Sequence, residues 1–249
     1  MTISYPIGQP LLEVFHVRLS SIDGEDAVGK LYGSITVTDG AGTLDLWNRD
    51  ESNPLDIKSG EDLLLEGPFR PVYAADEFQI DLELRNHVSQ ADELFVKGTI
   101  SFNPFDYYTT YDDIHDHQIS GDHGSVTVNY VPIRDALYAQ ISILPVNGDG
   151  GDVAYVYGMI TADNGHGQSE LFRKANNQHI TMEPQQSIPL SRTVVAAPSD
   201  GSLVVTANLL SSDNEIAQGS VEFQPEYKKS ESKYIAGGHG KVEVQISWL

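Results

Sequence analysis

Whole blocks of this chain recur about half its length further on. Lys97, Gly98, Ile100, Phe102 and Pro104 return 121 residues later as Gln218, Gly219, Val221, Phe223 and Pro225. Tyr32, Gly33, Ile35 and Thr36 become Tyr157, Gly158, Ile160 and Thr161, shifted by 125. Arg70, Val72, Ala74 and Ala75 become Arg192, Val194, Ala196 and Ala197, shifted by 122. The offset drifts where loops of unequal length should fall. A repeat of about 115 to 125 residues is the length of a domain rather than of a solenoid unit. The 249 residues therefore divide into two similar domains, 1–133 and 134–249, each large enough to bury a core of its own.

Within each half the dominant pattern is alternation of apolar and polar residues over short stretches. It runs through residues 14–19, 32–37, 44–47, 78–84, 96–102 and 125–130, and again through 140–144, 155–161, 170–172, 203–207, 217–223 and 242–248. A period of two places one face of a strand in a core and the other in water. No stretch of ten residues keeps a helical period. Short strands separated by Gly, Asp, Asn and Pro turns predict an all-β fold: two tandem antiparallel β-sandwich domains related by internal duplication. Gly33 and Gly158, Gly98 and Gly219, and Gly124 and Gly240 hold matching places in or beside strands, where glycine marks a bulge or a close backbone approach.

The charge is lopsided. Through Ile133 there are 23 acidic and 7 basic residues; from Arg134 there are 13 and 8, so the halves carry −16 and −5 of the total −21. A surface of that sign repels phosphate backbones and anionic lipid heads, so neither nucleic acid nor a membrane is expected as a partner. A basic protein or cations suit it better. The chain has no cysteine, which removes thiolate catalysis and cysteine zinc sites. Its first ten residues show no signal-peptide pattern and nowhere is there an apolar run of about 18 residues, so a soluble and cytoplasmic protein is expected.

Two resemblances follow from the order of blocks. Gly33, Ile35 and Val37, then Leu46, Asn48 and Arg49, then residues 63–65 leading into Gly67, Pro68, Arg70 and Val72, then Phe78, Ile80 and Leu82 form the first part. Leu190, Ser191, Arg192, Val194 and Val195, with Lys241, Val242, Glu243, Val244 and Trp248, form the second. Together these resemble an uncharacterised domain family abundant in grasses, sometimes found after a ribosome-inactivating N-glycosidase domain. That resemblance implies an association with defence or toxin proteins and supplies no catalytic residues; no glycosidase domain is expected within these 249 residues. Each half is also similar to calcium- and phospholipid-binding sandwiches of the synaptotagmin kind. Calcium needs several converging carboxylate oxygens, and the stretch that matches their aspartate loop is Leu84, Arg85, Asn86 and His87. The likeness implies the fold and speaks against the calcium switch.

The densest polar cluster is Asp112, Asp113, His115, Asp116, His117, Asp122 and His123. His115 and His117 fall on one side of an extended chain and, with Asp116, form a candidate site for zinc, nickel or another divalent ion. A plain acidic loop is the alternative, since this connection exceeds its counterpart in the second half by five residues (104–123 against 225–239). Tyr107, Tyr108 and Tyr111, with Asp112 and Asp113, are candidate ligand-binding residues, able to stack on a sugar or a peptide; a small satellite core would use the same rings. Asp23, Glu25 and Asp26, and Asp149 and Asp152, mark acidic turns that could hold a cation weakly or be turns and nothing more. Glu170 and Arg173 have the spacing used by ribosome-inactivating glycosidases, but their place in the repeat is a strand, so the match is taken as coincidence.

The expectation is a non-catalytic binding module for a protein or carbohydrate ligand, acting through the extended loop from Phe105 to His123 and the acidic end loops of the first half, with no required cofactor. Three alternatives stand beside it. One is a metal-dependent enzyme at residues 112–123, another a carbohydrate-binding lectin, and the third an acidic antitoxin or toxin-associated domain that masks a basic toxin.

Overall fold

A computed structural model describes residues 8–23, 28–88, 91–146, 154–182 and 186–249. The acidic positions Glu25, Asp26, Asp149 and Asp152 lie outside the described residues. The chain separates into two compact units, Pro10–Arg134 and Asp135–Leu249, the latter together with residues 8–9. Among the described residues there is no α-helix, only a 3-10 turn at Asn176–Gln178, and no helix long and apolar enough to cross a membrane.

The first unit is built from β1 (Gln9–Ile22), β2 (Val28–Asp39), β3 (Gly42–Arg49), β4 (Leu55–Lys58), β5 (Asp62–Leu63), β6 (Val72–Tyr73), β7 (Phe78–Val88), β8 (Ala91–Phe102), β9 (His115–Gly121) and the start of β10 (Gly124–Val146). Strands β3, β2, β7 and β8 form one antiparallel sheet in that order, with β4 also on β2. The other sheet places β9 on β10, β10 beside β1, and β5 and β6 on β1. Leu12, Val14, Val17 and Leu19 of β1 and Val126, Val128 and Tyr130 of β10 share one core with Ile35, Val37, Ile80, Leu82 and Trp47 of the other sheet. All are buried, and this one core holds the sandwich together.

The second unit uses the remainder of β10 with β11 (Ala154–Asp163), β12 (Gln168–Lys174), β13 (Ile180–Met182), β14 (Val194–Pro198), β15 (Leu203–Ser211), β16 (Asn214–Phe223), β17 (Ser230–Ala236) and β18 (Lys241–Trp248). One sheet runs β12, β11, β15, β16 with β13 on β11; the other runs β17, β18, β10 with β14 on β10. Its core holds Trp248, Phe172, Phe223, Val205 and Ile143.

Several local features recur in both units. The ladder between β2 and β3 slips at Ile35/Thr36, and that between β11 and β12 at Ile160/Thr161. A second slip falls at Leu84/Arg85 in one unit and Leu209/Leu210 in the other. Glu66 N–H donates to Leu46 O at 2.7 Å and Ser191 N–H to Leu171 O at 2.7 Å. Gly33 pairs with Leu84 at φ +115°, and Gly158 pairs with Leu209 at φ +121°. A Cβ at Gly33 would lie 2.2 Å from Glu83 O, and one at Gly158 2.1 Å from Asn208 O. Both glycines are therefore required by close backbone approach as well as by conformation.

Two expectations need correction. The connection from Phe105 to His123 is not a single loop, because residues 115–121 are strand β9, paired to β10 from Tyr130↔His115 to Gly124↔Gly121. Its only aliphatic anchor is Ile119, which packs on the core and lies beside Gly98, so alternation alone is too weak there to show in the sequence. The stretches 125–130 and 140–144 also belong to one continuous strand of 23 residues, β10.

Candidate functional site

The segment between β8 and β9 leaves the core at Phe102 and returns at Tyr111 and His115. A chain of rings fixes both ends. Phe102 stacks on Phe78 (centroids 4.7 Å apart), Phe78 meets Tyr130 edge-on (6.3 Å), and His115 stacks on Tyr130 (5.0 Å). Tyr111 sets its edge against Phe102 at 5.4 Å, with the Arg134 guanidinium 4.7 Å above its ring. The Tyr111 hydroxyl donates to Ala74 O at 2.6 Å, and burial pushes its pKa up. Asp112 takes a left-handed conformation (φ 68°), donates its N–H to Pro132 O at 2.8 Å and accepts Arg134 N–H at 3.0 Å. Tyr111 and Asp112 thus clamp the returning end of the loop.

Between these anchors the chain makes two short turns. Asn103 accepts Phe105 N–H on its side chain (2.9 Å) and Asp106 N–H on its carbonyl (3.1 Å), and Asp106 O accepts Thr109 N–H at 3.1 Å. An Asn followed by Pro is turn chemistry, since Pro104 fixes φ and the Asn side chain mimics a backbone acceptor. The turns push Phe105, Tyr107 and Tyr108 outward, with 80%, 92% and 90% of their surfaces exposed. Tyr107 and Tyr108 meet edge to face at 5.1 Å. Asp106 and Asp113 are exposed in the same segment. The structure thus sorts the sequence candidates: Tyr107, Tyr108 and Asp113 face solvent, and Tyr111 and Asp112 are engaged within the fold. Phe105, Asn103 and Arg134 complete the arrangement; of these only Phe105 belongs to the sequence expectation, as the start of the extended loop, and the Asn103-Pro104 turn is the signal it passes over.

The expected metal set is not assembled. Among the described residues no three His, Asp or Glu side chains come together in a way that could hold a metal ion. Consecutive residues on a strand point to opposite faces, so Asp116 is turned away from His115 and His117 and accepts Asn129 Nδ2–H at 2.7 Å. His115 lies flat on Tyr130 with its Nε2 buried and without a hydrogen bond, while His117 is exposed. At the other end of β9, His123 has its imidazole 3.4 Å from Asp23 and 3.6 Å from Glu93, and its carbonyl accepts Asp23 N–H at 3.0 Å. Glu170 and Arg173 form an ion pair at 3.0 Å on strand β12, not on a helix.

The second unit supplies a comparison. Through the offset of 121, Phe105, Tyr107 and Tyr108 correspond to Glu226, Lys228 and Lys229. There Lys228 lies over the Tyr227 ring at 5.0 Å, and Lys229 pairs with Glu226 at 2.8 Å. The positions matched by the offset thus carry lysines in one unit and bare rings in the other.

A family model described as a domain of unknown function (DUF6598) matches residues 11–246. Comparison with curated protein sequences finds no match. Among solved structures, the calcium-bound domain pair of extended synaptotagmin 2 aligns over 98% of this chain and 97% of its own, at 10% identity and a TM-score of 0.31. Human GIVD cytosolic phospholipase A2 aligns over 97% of this chain and 33% of its own, at 9% identity and a TM-score of 0.27. Scores this low carry no argument about what this chain binds.

Proposed function

The chain belongs to the DUF6598 family, and within it we propose that this protein is a non-catalytic binding module made of two duplicated sandwiches, whose contact surface is the loop of residues 103–114 in the first. One observation carries the proposal: three aromatic side chains stand 80 to 92% exposed on a loop pinned at both ends by buried rings and by its own turns. Large exposed rings gain free energy only by meeting a partner. A loop already held in shape loses little conformational entropy when it does so. The shared bulges, paired glycines and matching backbone hydrogen bonds support the duplication. An acidic aromatic surface is compatible with the toxin-associated setting that the sequence resemblance implies, where the partner would be a basic protein.

The test uses Tyr107→Ala/Tyr108→Ala in the full chain. Both side chains are almost fully exposed, so the fold should be untouched. A displayed random-peptide library and a glycan array are probed in parallel with wild type and variant. Ligands of either class that need the two rings support the proposal. If nothing binds wild type, or every bound ligand is retained by the variant, the loop is not a contact surface.

A further inference from the structure

We infer that the ligand of this loop is a cationic polypeptide segment, whose Arg or Lys side chains stack on Tyr107 and Tyr108 and pair with Asp106 and Asp113. This rests on the loop being a contact surface and goes on to name what it contacts.

Three tyrosine rings elsewhere in this protein carry a cation of their own, while among the described residues the exposed Phe69 and Tyr155 have none over them. Lys228 lies over Tyr227 at 5.0 Å, Lys241 over Tyr234 at 4.6 Å, and Arg134 over Tyr111 at 4.7 Å. Phe105, Tyr107 and Tyr108 are more exposed than any of these, and among the described residues no cation lies over them. An aromatic face attracts a cation through its quadrupole, and Arg is the more frequent partner. The first unit is poor in cations: Pro10–Arg134 holds 23 acidic and 8 basic residues. Of the eight bases, Arg70 is committed to Asp39 and Arg134 to Tyr111. Tyr111 ties the loop to Ala74, which brings the exposed Asp76 and Glu77 to the same end of the unit as Asp106, Asp112 and Asp113. Bare rings set among carboxylates match a guanidinium or ammonium group both in quadrupole and in charge. The same carboxylates disfavour an anionic membrane, and a neutral sugar would leave them without a counter-charge.

Binding of a fluorescent octa-arginine peptide to the full chain is followed by anisotropy at low ionic strength. Any acidic protein attracts such a peptide, so the decisive comparison holds charge fixed. Tyr107→Ala/Tyr108→Ala should weaken binding about tenfold, whereas Tyr107→Phe/Tyr108→Phe, which keeps both rings, should stay within about twofold of wild type. Asp106→Asn/Asp113→Asn should weaken binding and flatten its salt dependence. Equal binding by wild type and the alanine pair overturns the inference, because attraction would then be diffuse. So does a loop-dependent ligand that is uncharged or anionic, a glycan, or a phosphatidylcholine vesicle. Those last outcomes leave the binding-module proposal standing, and only the absence of any loop-dependent ligand removes both.

Discussion

Asp39, at the end of β2, shows how one carboxylate can organise several segments. It accepts both Nη atoms of Arg70 at 2.8 Å, Tyr73 N–H at 2.8 Å and Ala41 N–H at 2.9 Å, with its side chain 1% exposed. Burial alone would raise its pKa, but the Arg70 guanidinium and the two backbone amides outweigh burial and hold it below the ordinary carboxylate value. Since the folded value is the lower one, the stabilisation is complete above the unfolded value of about 3.9 and is lost as pH falls through the folded value. Asp39→Asn should cost about 2 kcal/mol near neutrality and should make stability less steep in acid, read from urea midpoints across pH. An unchanged acid limb would show that Asp39 carries no linked proton. At the matching place the second unit has Asn164, which accepts His166 and Gly167 N–H and donates to Ala196 O, doing with an amide what Asp39 does with a charge. The sequence shows Asp39, Asn164 and the two arginines as matched positions but not their bonds, since these join residues 31 to 34 apart in the chain. Tyr111 was hidden for a related reason. In a loop without periodicity nothing distinguishes the ring that turns inward from Tyr107 and Tyr108, which turn outward.

Elements were legible where alternation was strong. The stretches 32–37 and 78–84 fall inside β2 and β7, whose inward residues are Leu31, Ile35, Val37, Ile80, Leu82 and Leu84. Strand β9, with its sequence His-Asp-His-Gln-Ile-Ser-Gly, and strand β17, where Ile235 alone is buried, were not legible. Each pairs with a strong neighbour, β10 or β18, and owes its conformation to that ladder rather than to its own composition. The paired glycines give the element-scale prediction. Gly33→Ala and Gly158→Ala each place a methyl group against a carbonyl oxygen at a φ that disfavours any side chain. Each should lower stability by at least about 2 kcal/mol, measured by chemical denaturation. Tyr107→Ala/Tyr108→Ala, touching only exposed rings, should stay within about 0.5 kcal/mol of wild type. If one glycine tolerated alanine freely and the other did not, the two units would not be structural equivalents at that strand.

At the scale of the molecule the largest quantity is charge, −21 over 249 residues with most of it in the first half. Self-repulsion of that size works against the compact state, and salt relieves it because the screening length falls from about 30 Å at 0.01 M to about 8 Å at 0.15 M. The melting temperature of the free protein should therefore rise over that range of sodium chloride. A cationic ligand on the acidic loop should raise it too, by mass action, worth about 2.7 kcal/mol at a hundredfold excess over the dissociation constant. The two effects oppose each other, since the screening that stabilises the free chain also weakens the complex. With octa-arginine present, melting temperature should climb less steeply with salt than without it, and the two curves should converge at high ionic strength. In Tyr107→Ala/Tyr108→Ala the curves should already lie close together at low salt, because the charge is intact and the rings that focus it are gone. Parallel curves for wild type and variant would assign the peptide's effect to the acidic surface at large and leave the loop without a part in it.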